Sequence, residues 1–366
     1  MNKPVKDKPT PAKAKKAAPA AQKSKAKPVN LALQGGGSHG AFTWGVLDKL
    51  LEDGRIDFEA ISGTSAGAMN AVVCADGMAN GGKEGARDAL AHFWKEMSKS
   101  ALNSPIKRTP FDMFTGNWSL QNSPGYHFFD ALTRMMSPYQ LNPMNTNPLR
   151  ELIEEVVDFE RVKQCRGPKL FISATNVETG KVKVFDPHKL TADMVMASAC
   201  LPMVFQAVEV DDVPYWDGGY MGNPSLFPFH TETECSDILV VQINPITRSG
   251  APTTAHDIMN RINEISFNSS FLKELRAINF VSRLIHEGKL SEKEYRDTRV
   301  HIIENQDALI PLGASSKMNA EWAFLEHLRD LGRRSADQWL DTHFDAIGKK
   351  STVDLAEMFH STGPSY

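Results

Sequence analysis

The sequence predicts an α/β fold with a mainly parallel, doubly wound central sheet. Two short apolar runs, 29–34 (VNLALQ) and 58–62 (FEAIS), are each followed by a glycine-containing loop and then by a segment of helical periodicity. Strand–helix alternation of this kind marks a parallel sheet with helices on its faces. Further apolar runs at 169–177, 181–185, 237–245 and 298–304 supply more strands. Of the 366 residues, 41% are hydrophobic, enough for a sizeable core in one large domain or two smaller ones.

Taken in order, the chain opens on a segment that cannot pack. Residues 1–28 are almost all Lys, Ala, Pro and small polar types, with Val5 the one branched apolar residue. Such a composition buries too little surface to offset the entropy of ordering, so a disordered tail is expected. Residues 1–29 hold nine lysines and one acid, Asp7, hence +8, on a chain of net charge −3. The tail reads as a solvated leader or as an electrostatic tether to an anionic membrane or granule surface. It has no aromatic residue to stack on bases, which argues against specific nucleic-acid recognition.

Order begins with the strand at 29–34. In the segment after the glycines, Phe42, Val46, Leu47, Leu50 and Leu51 share one helical face, and Gly54 ends the helix. The strand at 58–62 runs into GTSAG and an apolar helix. Residues 105–147 mix Pro, Met, Phe, Trp and Tyr without a clean period. That texture fits a lid or acyl-binding insertion, and equally an ordinary insertion packed on the core. A hairpin is expected to turn at Asp211-Asp212. Residues 29–250 form the expected core, and 251–366 a helical extension packed on it. Within the extension, one long amphipathic pattern should break near 268–270, and two further helices should flank Gly332.

Several classes are disfavoured. No stretch approaches 18 consecutive apolar residues, and no apolar h-region opens the chain, so neither a membrane span nor a signal peptide is expected. The four cysteines are widely spaced, without metal-ligand spacing, which suggests reduced thiols and a cytoplasmic location.

The chemistry concentrates in three short stretches. Gly63-Thr64-Ser65-Ala66-Gly67 is a G-x-S-x-G pattern between a strand and a helix, the setting of a nucleophile elbow. Small residues at Gly63, Ala66 and Gly67 let the turn close, and the helix N-terminus beneath Ser65 favours negative charge. Gly35-Gly36-Gly37, with Gly40, satisfies a dinucleotide spacing. A dinucleotide site, however, wants an acidic residue at the end of the next strand, where this chain has Gly63-Thr64-Ser65. An oxyanion hole built from the loop's N–H groups, completed by that of Ala66, fits better. Asp217, followed by Gly218-Gly219 after a predicted strand, is the pointed candidate for a base to Ser65. It could equally be a turn aspartate capping its own loop.

Together QGGGSHGAF, GTSAGAMNA, ASACLP and DGGYMGNP, in this order over roughly 29–245, resemble the patatin-like phospholipase family. The resemblance implies a three-layer α/β/α sandwich and a Ser–Asp dyad of Ser65 and Asp217. It implies an oxyanion loop of Gly35, Gly36 and Gly37, and no metal or cofactor. It implies a serine acyl hydrolase of lipid esters, of phospholipase A or lysophospholipase type, acting on a lipid or membrane-surface substrate. Many members carry Lys or Arg in the loop where this chain has His39, which replaces a fixed charge with a titratable group. Hydrolysis of another ester, such as a storage polyester or an acyl thioester, and a non-catalytic lipid-surface role remain as alternatives.

Overall fold

The structure is a computed structural model that describes residues 26–102, 104–164 and 167–360. Of the basic tail expected over 1–28, residues 1–25 lie outside the described residues, and Lys27 and Pro28 belong to the first strand rather than to the tail, Lys27 donating to the Phe344 and Ile347 carbonyls.

Two parallel strands form the centre. β1 (Lys27–Leu33) and β2 (Ile56–Gly63) pair from Lys27↔Ile56 to Leu33↔Gly63, with one irregularity between Val29 and Asn30. α1 (Gly40–Asp53) joins them, and Gly54 closes it in a left-handed cap. α2 (Ala66–Ser100) leaves β2 through the elbow and bends at Gly81-Gly82, where the backbone departs from helical angles. Short helices come next: α3 (Pro110–Thr115), α4 (Pro124–Met135), α5 (Pro138–Leu141), α6 (Pro148–Val156) and α7 (Phe159–Gln164).

β3 (Lys169–Asn176), β4 (Val182–Phe185), β5 (Val208–Val210), β6 (Val213–Asp217), β7 (Asp237–Val241) and β8 (Arg299–Ile303) complete an eight-stranded sheet. Its order is β5-β6-β3-β2-β1-β7-β8, with β4 beside β3. The pairs β1–β2, β1–β7, β2–β3 and β7–β8 are parallel, and those of β3 with β4, β3 with β6 and β5 with β6 antiparallel. Asp211 and Asp212, both at positive φ, turn the β5–β6 hairpin as expected.

The remaining helices are α8 (Ala192–Ser198), α9 (Phe227–Glu232), α10 (Ala255–His286), α11 (Gln306–Leu309), α12 (Trp322–His343) and α13 (Leu355–His360). They cover both faces of the sheet. Leu31 and Leu33 face a core shared with α1, α2 and α12, whereas Ala32 faces Phe229 of α9 and Phe271, Leu275 and Ile278 of α10. This alternation, period two along β1, is what a three-layer α/β/α sandwich requires.

The C-terminal third differs from its expected form in two ways, while β8, at the predicted run 298–304, joins the central sheet beside β7. α10 runs unbroken through 268–270. Asn268 donates to the Pro245 carbonyl and Ser269 to that of Ser266, so two of the three polar side chains there find partners without a break. α12 is one helix, and Gly332 lies inside it. A Cβ at Gly332 would strike the Phe42 carbonyl, so this glycine marks where α12 crosses α1.

Gly332→Val should therefore destabilise the fold by about 1–3 kcal/mol through forced separation of the two helices. Thermal unfolding checks this, and an unchanged melting temperature would mean that the crossing tolerates a side chain.

Candidate active site

The site is placed by β3. Ile172 pairs with both Gly63 of β2 and Phe185 of β4, so β2 and β4 occupy opposite edges of β3. Ala174 pairs with both Lys183 of β4 and Asp217 of β6, so β6 lies on the edge that β2 uses. β2 runs up that edge and stops opposite residue 172. β6 runs down it and stops opposite residue 174. The two strand ends meet head to head, β2 leading into Ser65 and β6 ending on Asp217.

Ser65 sits in a strained backbone (φ 55°, ψ −121°), uncommon for any residue with a side chain. It makes no side-chain cap to α2, so its hydroxyl is not tied to the helix and lies against Asp217. From Ala60 to Gly77 it alone is not fully buried. The tightness of the elbow comes from its neighbours. A Cβ on Gly35 would lie 2.7 Å from the Ser65 Cβ, and one on Gly63 would lie 2.5 Å from the Gly67 carbonyl. Gly40 packs against Ala66, and Gly67 against the end of β1.

Asp217 is buried and clamped by its backbone. Its N–H donates to the Cys200 carbonyl (2.7 Å), and its carbonyl accepts from Thr175 Oγ1 (2.8 Å). Oδ1 accepts the Gly219 N–H (2.7 Å), while Oδ2 has no partner of full hydrogen-bond geometry. Gly218 lets this turn close on the Ser173 carbonyl. Burial drives the Asp217 pKa from an ordinary 3.8 up to about 7. The Gly219 N–H, the Ser65 hydroxyl and the charge of Lys317 oppose the rise. Asp217 thus caps its own turn through Oδ1 while its carboxyl also lies against the Ser65 side chain.

The glycine loop divides its labour. The Gly35 N–H is taken by Asn223 Oδ1 (2.7 Å), so Gly35 braces the loop and leaves no donor for an oxyanion. The N–H groups of Gly36 and Gly37 have no protein partner among the described residues, and Gly37 is exposed. The N–H of Ala66, first residue of α2, has no intrahelical acceptor. His39 is buried, with Nε2 2.7 Å from Ser316 Oγ. Burial lowers its pKa to about 3, and the Lys317 and Arg248 charges add to the effect. It is neutral and structural, and Asp217 is the group poised near pH 7.

Sequence reasoning missed the polar frame. Ser198, within ASACLP, accepts the Ser65 N–H (2.9 Å), so this stretch holds Ser65 as well as Asp217. Gln34 Oε1 accepts from the Ile243 and Asn244 N–H groups. Asn244 Nδ2 donates to the Gly35 carbonyl, and its Oδ1 accepts from Lys317 Nζ, both at 2.7 Å. Gln34 and Asn223 lie inside the quoted motifs. Asn244 and Lys317 carried no local signal.

A family model, patatin-like phospholipase, matches residues 31–230. The chain belongs to the patatin-like phospholipase family. Among solved structures this patatin-like chain is similar to VipD from Legionella pneumophila, at 15% identity and a TM-score of 0.37, covering 87% of this chain and 67% of that one. It is also similar to a chain of the ExoU–SpcU complex from the type III secretion system of Pseudomonas aeruginosa, at 14% identity and a TM-score of 0.28. That match covers 86% of this chain and 53% of the other, so this chain spans about half its length. No curated protein matches.

Elsewhere on this patatin-like phospholipase, a hollow of about 600 Å³ is lined by Met78, Asp158 and Arg161 among others. Arg161 is already paired with Asp76, and none of the site residues lines the hollow. No described helix is long and apolar enough to cross a membrane, and no described cluster of three or more His, Cys, Asp or Glu could hold a metal.

The raised pKa of Asp217 has a consequence for stability. Between about pH 4 and pH 7 the folded state keeps a proton that the unfolded chain has released, so stability falls as pH rises through this window. Asp217→Asn removes that liability. Its gain in melting temperature over wild type should grow from pH 4 to pH 7 and level off above, as a calorimetric pH series would record. A gain independent of pH would contradict the raised pKa.

Proposed function

We propose that the protein is a serine acyl hydrolase of lipid esters, with Ser65 as nucleophile and Asp217 as base. The observation that carries this is the head-to-head meeting of β2 and β6, which brings a strained, partly open serine against a buried carboxyl poised near neutrality. Membership of the patatin-like phospholipase family supports lipid as the substrate class.

In this reading Ser65 Oγ attacks the ester carbonyl carbon while Asp217 takes its proton. The carbonyl oxygen becomes an oxyanion and accepts from the N–H groups of Gly36, Gly37 and Ala66. Collapse breaks the bond to the alcohol, which leaves with the proton from Asp217. A water then attacks acyl-Ser65, gives its proton to Asp217 and releases the acid. Asp217 finally returns a proton to Ser65 Oγ. Because Asp217 must be ionised to act, kcat/KM should rise with pH through a midpoint near 7.

The segment 105–147 is proposed as the part that meets the lipid. It is tied to both sides of the site. Ser315 Oγ accepts from the Leu120 N–H, next to the residues that brace His39. Tyr139 and Asn142 accept from Ala207 and Gln206, which lie just beyond ASACLP. Along the segment Phe111, Phe114, Phe128, Met135 and Met144 have exposed apolar side chains, Phe114 at 90% exposure. An apolar patch of this kind marks an interaction surface.

Ser65→Ala and Asp217→Asn should each lower hydrolysis of short-chain and phospholipid esters by at least about a thousandfold. Retained activity in Asp217→Asn would remove it as base. Phe114→Asp with Phe128→Asp should weaken partition onto phospholipid vesicles by about tenfold or more, since each ring buries apolar area in the interface. Both positions are exposed, so the melting temperature should hold. Unchanged vesicle binding would separate this segment from the lipid.

A further inference from the structure

Lys317 is a partly buried lysine near the site that makes no ion pair among the described residues. It lies on the 3-10 turn Ala314–Met318, and its Nζ donates to Asn244 Oδ1, a neutral acceptor. No carboxylate among the described residues reaches ion-pair distance of it. Burial, with the Arg248 charge, lowers the Lys317 pKa, while Glu264 and Asp217 favour its ammonium from beyond ion-pair distance, and Glu264 is itself held by Arg248 and Arg261.

The bond to Asn244 decides more than it first suggests. An ammonium donates and never accepts, so it fixes which way the Asn244 amide faces. Oδ1 must turn to Lys317, and Nδ2 must then turn to the Gly35 carbonyl, where it donates at 2.7 Å. That carbonyl and the Gly36 N–H belong to one planar, trans peptide unit and point in opposite directions. Holding the carbonyl therefore aims the Gly36 N–H, and hydrogen bonds in series make it a stronger donor. The next peptide is held likewise. The His39 N–H donates to the Gly36 carbonyl (3.2 Å), which aims the Gly37 N–H, and His39 itself is pinned by Ser316. The Lys317 carbonyl closes the arrangement, since a Cβ on Gly37 would lie 2.5 Å from it.

We propose that Lys317, with Ser316 beside it, is the positioning residue of the oxyanion loop: through Asn244 it orients the Gly36 N–H, and it supplies the site's unpaired positive charge. The proposal rests on the Ser65–Asp217 reading. The charge favours the ionised form of Asp217, and it favours the oxyanion over the neutral carbonyl. The groups that face Asp217 are Ser65, the Gly219 N–H, Lys317, Tyr220 and Cys200. Burial pushes the last two up to about 12, so neither titrates with it. Those that face Lys317 are Glu264, Arg248, His39 and Asp217.

The test compares wild type with Lys317→Met, Lys317→Gln and Lys317→Arg on a soluble p-nitrophenyl ester across pH 5–9, and follows Asp217 protonation by infrared difference against Asp217→Asn. Lys317→Met should lower kcat about tenfold or more with KM little changed. It should also raise the Asp217 midpoint by up to about one unit. Arg should restore the midpoint. Gln, should Met not fold, keeps a donor for Asn244 without the charge, so the midpoint still rises. A midpoint and kcat that stay at wild-type values in the charge-free variants overturn the proposal. The infrared midpoint needs no turnover, so it tests Lys317 even if Ser65→Ala were to retain hydrolysis and the dyad were to fail.

Discussion

One edge of β3 carries the site. A strand edge offers a single row of hydrogen-bonding groups, and here two strands share it from opposite ends. β2 can proceed no further than Gly63 because β6 already holds the row beyond, and β6 ends at Asp217 for the complementary reason. The gap between them is fixed by backbone pairing alone, at two residues of β3. Ser65 and Asp217 owe their proximity to this register rather than to any attraction between them. The packing of both sheet faces secures that register, since slipping β2 by one residue would exchange its buried faces.

Two unfavourable features are concentrated at this junction. Ser65 holds a backbone that side chains avoid, and Asp217 keeps a carboxyl out of water with one oxygen unsatisfied. Neither would persist alone. They are held by an unusually continuous polar frame in which Gln34, Ser198, Asn223 and Asn244 each bond to backbone of the elbow, the glycine loop or the strand ends beside them. Strain at a functional site compensated by its surroundings is a general pattern, and here the compensating groups are almost all neutral amides and hydroxyls. Lys317 is the exception, and the lack of an ion-paired carboxylate leaves its field directed at the site.

Much of this was legible in the sequence because it is local. The strand–glycine–helix alternation, the elbow and the Asp211-Asp212 turn each arise from residues adjacent in the chain. So did the candidacy of Ser65, Asp217 and the glycine loop, on the strength of short motifs. The illegible part depends on distant pairing. That Gly35 spends its N–H on Asn223 needs the fold, as does the burial that silences His39. The expected break near 268–270 does not occur, and the Pro245 carbonyl that holds Asn268 is invisible in one dimension. Gly332 suggested a helix end, when it marks a crossing with α1. Lys317 sits in an ordinary polar stretch and gains meaning only from a loop far earlier in the chain.

That separation governs when the site can exist during synthesis. Ser65 and the glycine loop emerge from the ribosome before Asp217, and β8 follows before the turn bearing Ser316 and Lys317. A nascent chain already exposing the elbow lacks the residues that bond to Asn244 and His39 behind the glycine loop. The elbow is thereby kept from its full polar frame until the chain has been made through Lys317.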